Sequence, residues 1–436
     1  MYPPLLRVRY LTPLLAIAIV FCLCVNAESR DLGEILEQVE RHTPALQAAH
    51  ARTEIQGAAT WQAKSRYFGE VDALVKNSSF DSDRLINPIS FPPDLQPELF
   101  DKNQIGYGLN AHLPLDINGR ITFGVDAAGK QMEAARSQEG NVRLQLLHGA
   151  ADLYHSLEGI KALEETLQKQ IAALTAHIKV ATISIEAGRT APVERLRLVA
   201  DKEAVKGKLA GLKGQDLGIR ARLAALMGTE SFSDTVIPIH DPPRGTAEAG
   251  SGIMNRPDIQ ALQFQGEAAD ADVKAAIASR FPGLDINGSW IQNQGFSGGG
   301  DDTWALFVQV HLPLWDGGGR RSAVTKAEAG RKVTQHQLTA LQNQAKAELV
   351  AAQADWQAAE ISYRATVASV DSARETARIQ ADRFAEGRLS AADLVDAEAA
   401  LSGARSSRAL ALTSWWQAED RLRHAVGLEP SAYQKP

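Results

Sequence analysis

Ile105-Gly106-Tyr107-Gly108-Leu109-Asn110-Ala111-His112-Leu113-Pro114-Leu115 alternates two kinds of residue. Ile105, Tyr107, Leu109, Ala111 and Leu113 fall on one face of an extended chain, and Gly106, Gly108, Asn110 and His112 on the other. A period of two is the signature of a strand whose faces meet different surroundings. The stretch ends in His112-Leu113-Pro114-Leu115, which returns as His311-Leu312-Pro313-Leu314, 199 residues later. Gly188-Arg189 recurs as Gly387-Arg388 at the same offset, and so does Leu223 with Gly228 as Leu422 with Gly427. An offset held through strand-like and helix-like segments means two copies of one structural unit.

The rest of each copy reads outward from that strand. Upstream, Asp31 to Ser65 has helical spacing, and Gly69 to Phe80 alternates Val71, Ala73 and Val75 against Asp72 and Leu74. A connection with Pro88, Pro92, Pro93 and Pro97 joins it to the quoted strand, making a hairpin with a long loop. Downstream, Arg120 to Ala187 contains no proline and repeats apolar residues at threes and fours, which predicts a helix of roughly 100 Å. Gly188 stops it, and a second helix runs from Pro192, at the tolerated first-turn position, to Met227. Alanine and glycine in place of large residues predict close, coiled-coil-like packing. The second copy repeats the programme: helix Arg256–Ser279, strands around Leu284–Trp290 and Trp304–Leu312 joined by a loop at Gly298–Asp302, then helices Arg320–Glu386 and Ala391–Val426. The division is therefore 1–27 leader, 28–228 first repeat, 229–255 connection, 256–428 second repeat and 429–436 tail.

Met1 to Ala27 places Arg7 and Arg9 before an apolar run and ends Val25-Asn26-Ala27, the pattern of a cleaved secretory signal. The apolar run is shorter than the ~20 residues of a spanning helix. Cys22 and Cys24 are the only cysteines and lie inside this segment, so a mature chain has no thiol for disulfides, zinc or nucleophilic chemistry. Phe21 and Leu23 stand where lipidation of either cysteine would call for a small residue. The formal charge of −6, more negative once Arg7 and Arg9 leave, argues against nucleic acid as a partner. The sequence holds no nucleophile elbow, phosphate loop or paired acid–base constellation, so no enzyme activity and no cofactor are expected. The ten histidines lack metal-ligand spacing.

Four strands of this length cannot close around a lumen, and open sheet edges are not tolerated in hydrocarbon. Strands from several chains must therefore join. Thr43-Pro44-Ala45-Leu46 and Arg256-Pro257-Asp258-Ile259 open the two copies, and Gly119-Arg120 and Gly319-Arg320 follow the hairpins. Gly387 precedes Asp393-Leu394-Val395-Asp396-Ala397, and each copy ends Leu-x-x-x-x-Gly. On these residues, in order and duplicated, the mature chain resembles the TolC-type outer-membrane efflux protein family. That resemblance implies a mostly helical α+β chain and a homotrimer, with four β-strands per chain in a shared 12-stranded transmembrane β-barrel and long coiled-coil helices forming a periplasmic α-barrel. It implies an outer-membrane location in contact with lipid, and docking to a periplasmic adaptor protein and an inner-membrane pump. The function implied is passive conduction of small molecules or ions. A type I protein-secretion duct and a non-channel periplasmic coiled-coil protein stand as alternatives.

The resemblance also implies a gate. Carboxylates six and nine residues after the same glycine ring the periplasmic tip in that family, which makes Asp393 and Asp396 the gate candidates. Set on one helix face, they become six converging carboxylates about a threefold axis. Leu389 stands where the family's best-known pattern has arginine two residues after the glycine, so a tip salt bridge is in question. Glu194 and Arg197 occupy the matching places in the first copy. Gly188, Arg189, Gly387 and Arg388 are candidates for adaptor contact, C-cap chemistry being the plainer reading. Tyr107, Trp290, Trp304 and Trp315 are candidate interface anchors.

Overall fold

The computed structural model describes residues 29–89, 99–189, 191–236, 241–242 and 252–431. The expected leader with its two cysteines, Pro92, Pro93 and Pro97, parts of the 229–255 connection and residues 432–436 lie outside the described residues.

The chain runs β1 (Ser29–Arg30), α1 (Leu32–His42), α2 (Pro44–Ser65), β2 (Glu70–Leu85), β3 (Phe100–Leu115), α3 (Arg120–Glu186) and α4 (Pro192–Met227). It continues with β4 (Thr235–Val236), a 3₁₀ turn at Ile253–Asn255, α5 (Pro257–Ala278), β5 (Gly283–Gly295), β6 (Gly300–His311), α6 (Gly319–Ala385) and α7 (Ala391–Ala425). The helical stretch expected over Asp31–Ser65 is two helices. Thr43 is extended at φ −67°, ψ 121°, as the residue before Pro44 must be, and Pro44 opens α2. Both strands of the first hairpin are longer than their alternation suggested, because Arg84 and Leu85 pair with Asp101 and Phe100 beyond a register break between Ser79 and Arg84. In the second hairpin β6 already begins at Gly300, so Asp301 and Asp302 belong to the strand rather than the loop.

β1 and β4 pair in parallel, while the large sheet is antiparallel in the order β2-β3-β5-β6. Its register lines up like with like. Ala73 sits opposite Leu109, Leu109 opposite Trp290, and Trp290 opposite Trp304; one step along, Ala111 faces Gly288 and Gly288 faces Leu306. The other face carries Asp72 opposite Asn110, Asn110 opposite Ser289, and His112 opposite Asn287, with 2.8 Å between His112 Nδ1 and Asn287 Oδ1. Val71, Val75, Leu109, Leu306, Val308 and Val310 are all exposed, with nothing covering them among the described residues. β3 and β5 approach closely on the polar face at Gly108: a Cβ there would lie 2.0 Å from the Trp290 carbonyl oxygen and 2.7 Å from Ile291 Cα. Among the described residues, β2 and β6 each leave one edge unpaired.

The long helices are knit by a seven-residue repeat. α6 buries Trp356, Tyr363, Val370, Ala377 and Phe384, and α7 buries Leu394, Leu401, Trp415 and Leu422. A strict seven-residue period in a helix with 3.6 residues per turn imposes left-handed supercoiling. The helices form a wall one layer thick: α2 and α4 lie along one edge, α3 next, then α5 and α7, with α6 along the far edge. Trp415 and Trp416 are packing residues: Trp415 meets Trp356, and Trp416 stacks on His155.

Two histidines at the α3–α7 contact sit in opposite environments. His155 is buried, with Glu158 Oε2 2.8 Å from Nδ1 and Asp420 Oδ2 3.2 Å from Nε2. Burial alone would lower its pKa, but the two carboxylates outweigh it and hold the imidazolium up to about 9. His148 is driven down to about 4, chiefly by burial, with the nearby His424 adding to the effect. His148 therefore stabilises the fold fully above its unfolded value near 6.5, and that contribution is lost as pH falls toward about 4. The His155 contribution is complete below 6.5 and is lost as pH rises through about 9. Urea titrations should show a broad optimum near neutrality. His148→Leu should flatten the acid limb, and a triple Leu exchange at His155, Glu158 and Asp420 the alkaline one, each by roughly 2–3 kcal/mol.

Candidate functional site

The end of the wall farthest from the sheet is closed by two turns of one geometry. After α3, Gly188 takes φ +68°, and after α6, Gly387 takes φ +72°. Arg189 N–H donates to the Ser184 carbonyl, and Arg388 N–H to the Arg383 carbonyl, each at 2.9 Å. These are Schellman-type caps, and the left-handed glycine conformation explains both glycines. Gly188, Arg189, Gly387 and Arg388 are nevertheless exposed. Arg388 pairs with Glu386 of its own turn at 3.2 Å.

Under the turns lies a dry core made by all four long helices. Leu174 and Ala181 of α3, Leu198 of α4, and Ala391 and Leu394 of α7 have no accessible surface, and Phe384 of α6 joins them. Leu389 packs against this cluster. The residue that departs from the arginine pattern is thus part of the core, and the nearest arginine, Arg388, is held by its own turn.

Asp393 and Asp396 stand one turn apart at the start of α7, both exposed. Ser390 caps the helix: its hydroxyl accepts Asp393 N–H at 3.2 Å and donates to Asp393 Oδ2 at 2.7 Å. The Asp393 carboxylate is thereby fixed in direction. Among the described residues, Asp396 has no hydrogen-bond or ion-pair partner.

Sequence reasoning treated Glu194 only as the counterpart of Asp393. Its Oε2 accepts the Ala391 N–H at 2.8 Å, so a side chain from the first hairpin caps the first turn of the second. His177 of α3 and Glu398 of α7 make a second tie at 3.0 Å. Glu194→Ala should lower the denaturation midpoint by an amount worth about 1 kcal/mol, whereas Glu194→Gln, which keeps an acceptor oxygen, should recover most of it. Arg197, the counterpart of Asp396, is exposed on α4.

At the other end, Tyr107, Trp290 and Trp304 crown the apolar face of the sheet, and Trp290 Nε1 donates to Asp302 Oδ2 at 3.0 Å. Trp315, 88% exposed, follows the lower margin beside Leu314. Among the described residues no helix is long and apolar enough to cross a membrane, and no three His, Cys, Asp or Glu side chains converge as a metal site.

Comparison with known proteins follows the same outline. Nodulation protein T of Rhizobium leguminosarum bv. trifolii is 26% identical over 337 residues, covering 72% of this chain and 70% of that one. The outer membrane protein OprJ of Pseudomonas aeruginosa is 25% identical over 268 residues, 58% of this chain and 55% of its own length, so the chain spans about half of that relative. Among solved structures, the outer membrane protein VceC of Vibrio cholerae superposes with a TM-score of 0.77 at 21% identity, covering 91% of this chain and 96% of that one. The fold is that of the TolC-like channels. Residues 35–229 and 251–428 match the family described as outer membrane efflux protein, and the chain belongs to that family.

Proposed function

We propose that three copies of this chain close into one channel that spans the outer membrane and extends through the periplasm, conducting small molecules or ions outward from a pump. The observation that carries this reading is the sheet: an exposed apolar face, a polar face and, among the described residues, two unpaired edges on one chain. β2 and β6 run in opposite directions, so the β6 edge of one copy can continue antiparallel onto the β2 edge of the next. Twelve strands then leave no free edge in hydrocarbon. Residues 28–228 and 256–428 act as two structural repeats, tied by 229–255 and followed by a short tail at 429–436.

In this reading Asp393 and Asp396 line the periplasmic gate. Gly188, Arg189, Gly387 and Arg388, exposed on the turns, meet a periplasmic adaptor that joins the channel to an inner-membrane pump. Efflux is favoured over polypeptide secretion, and over a non-channel coiled-coil role, by the outer membrane efflux family itself. The test is to purify the chain from envelopes. Extraction should need detergent, native mass should give a trimer, and planar bilayers should show discrete conductance steps; a monomer that leaves the envelope without detergent would overturn the proposal.

A further inference from the structure

Beyond the tip core, one cleft gathers cations from three helices. Arg405 and Arg408 stand one turn apart on α7, and Arg374 of α6 and Lys169 of α3 line the same space of about 330 Å³. Buried Val370, Ala409 and Leu412 make its apolar part. Glu165 and Asp241 are the carboxylates on its lining.

One place in the cleft is taken by a carboxylate of the chain itself. Asp241, from the connection between the repeats, accepts the Tyr363 hydroxyl at 2.6 Å and Arg408 Nη2 at 3.0 Å on Oδ1, and the same Nη2 at 3.3 Å on Oδ2. The chain thereby shows which chemistry these side chains take. The remaining cations are short of partners. Among the described residues, half-buried Arg405 has no hydrogen-bond or ion-pair partner, and Arg408 Nε is buried without one. Buried donors are seldom left unpaired. Lys169 meets Glu165 at 3.5 Å and Arg374 meets Asp371 at 3.6 Å, with all four side chains more than half exposed. Exposed pairs of this kind contribute little, so both cations can turn to an incoming anion at small cost.

We propose that this cleft binds a small oxyanion carrying two or more negative charges, with Arg405 as its anchor and Lys169 and Arg374 closing on it from the flanking helices. Guanidinium groups suit the role, because their fork of donors matches the oxygens of such an anion two at a time. The space lies at the small end of the roughly 300–1,000 Å³ typical of ligand sites, which fits a compact anion. At about 1.5 Å per residue, the cleft lies roughly 20–30 Å from the tip turns and roughly 70 Å from the sheet, too far from the apolar strands for a lipid headgroup. Because its cations belong to α3, α6 and α7, a bound anion ties the first repeat to the second. The site is complete in one chain, so it does not depend on the trimeric reading.

The experiment is calorimetric titration of inorganic pyrophosphate into the full-length protein in detergent, at low salt and without divalent metal. Binding should saturate at one anion per chain and weaken at least about tenfold in Arg405→Gln, with a smaller loss in Arg374→Gln. Arg52→Gln, exposed on α2 away from the cleft, should leave it unchanged. Asp241→Asn should tighten binding about two- to fivefold by removing a carboxylate beside the anion, an effect that a merely structural Arg405 does not produce. No saturable binding, or binding that Arg405→Gln and Arg374→Gln both leave unchanged, would overturn the proposal. Equal displacement by acetate at the same concentration would overturn it as well, because a single charge should not hold the cleft. The two arginines lie on different helices, and circular dichroism of each variant shows whether it is folded, so a misfolded variant leaves the other to decide.

Discussion

Gly108→Val is expected to prevent the sheet from forming, with the protein recovered in aggregates and no channel activity in bilayers. A side chain at this position would point to the polar face, where the Trp290 carbonyl oxygen would lie 2.0 Å from the first added carbon. Relief requires β3 and β5 to separate along the contact at the middle of the sheet. The cost is several kcal/mol, the range in which single substitutions unfold a protein. Valine is otherwise a good strand residue, so propensity alone predicts a gain. Gly149→Ala supplies the contrast: a Cβ added at this helical glycine would meet nothing within 4 Å, and the change should stabilise by about 0.5–1 kcal/mol. Far-UV circular dichroism, heat-stable oligomer on gels and conductance would separate the two variants, and a Gly108→Val channel of normal yield would refute the close approach of β3 and β5.

Legibility in the sequence followed the range of the physics. Helix ends are written locally: Pro192 and Pro257 open α4 and α5, and Gly188, Gly228 and Gly387 close helices in the left-handed conformation, so spacing and punctuation placed these boundaries within about a residue. The strand extensions at Asp81–Leu85 and Phe100–Asn103 were not legible, because a register break and a polar stretch interrupt the alternation there. The buried Asp101 belongs there as well; its Oδ2 accepts the Ser297 N–H from the opposite hairpin, a contact no local pattern announces.

At the candidate gate, the position of Asp393 and Asp396 near a helix start was readable, and so was their shared face. The Glu194 cap on Ala391 was not, since the two residues come from different repeats and meet only when the hairpins pack. The duplicated sequence even argued for treating Glu194 as a mere equivalent of Asp393. Packing differentiates the copies: one carboxylate is turned onto its neighbour's helix end, and the other remains at the surface.

The paired substitution Asp393→Ala with Asp396→Ala is expected to raise single-channel conductance and to abolish block by divalent cations. In a threefold assembly the two positions make six carboxylates, and charges ~8 Å apart interact by roughly 0.5–2 kcal/mol between dielectrics of 80 and 20. A divalent ion at such a ring gains several of these terms, so removing them should weaken block by at least about tenfold, the change that 1.4 kcal/mol produces. Asp393 has a second role that must be separated from its charge, because Ser390 donates to its carboxylate while capping α7. Asp393→Asn with Asp396→Asn keeps an acceptor beside Ser390 and removes only the charges. If the asparagine pair matches the alanine pair, the ring acts electrostatically; if only alanine changes conductance, the cap holds the tip in shape. Unchanged conductance and unchanged divalent block in both would remove these residues from the gate, and attention would pass to the Glu194 and His177–Glu398 ties that hold the hairpins together.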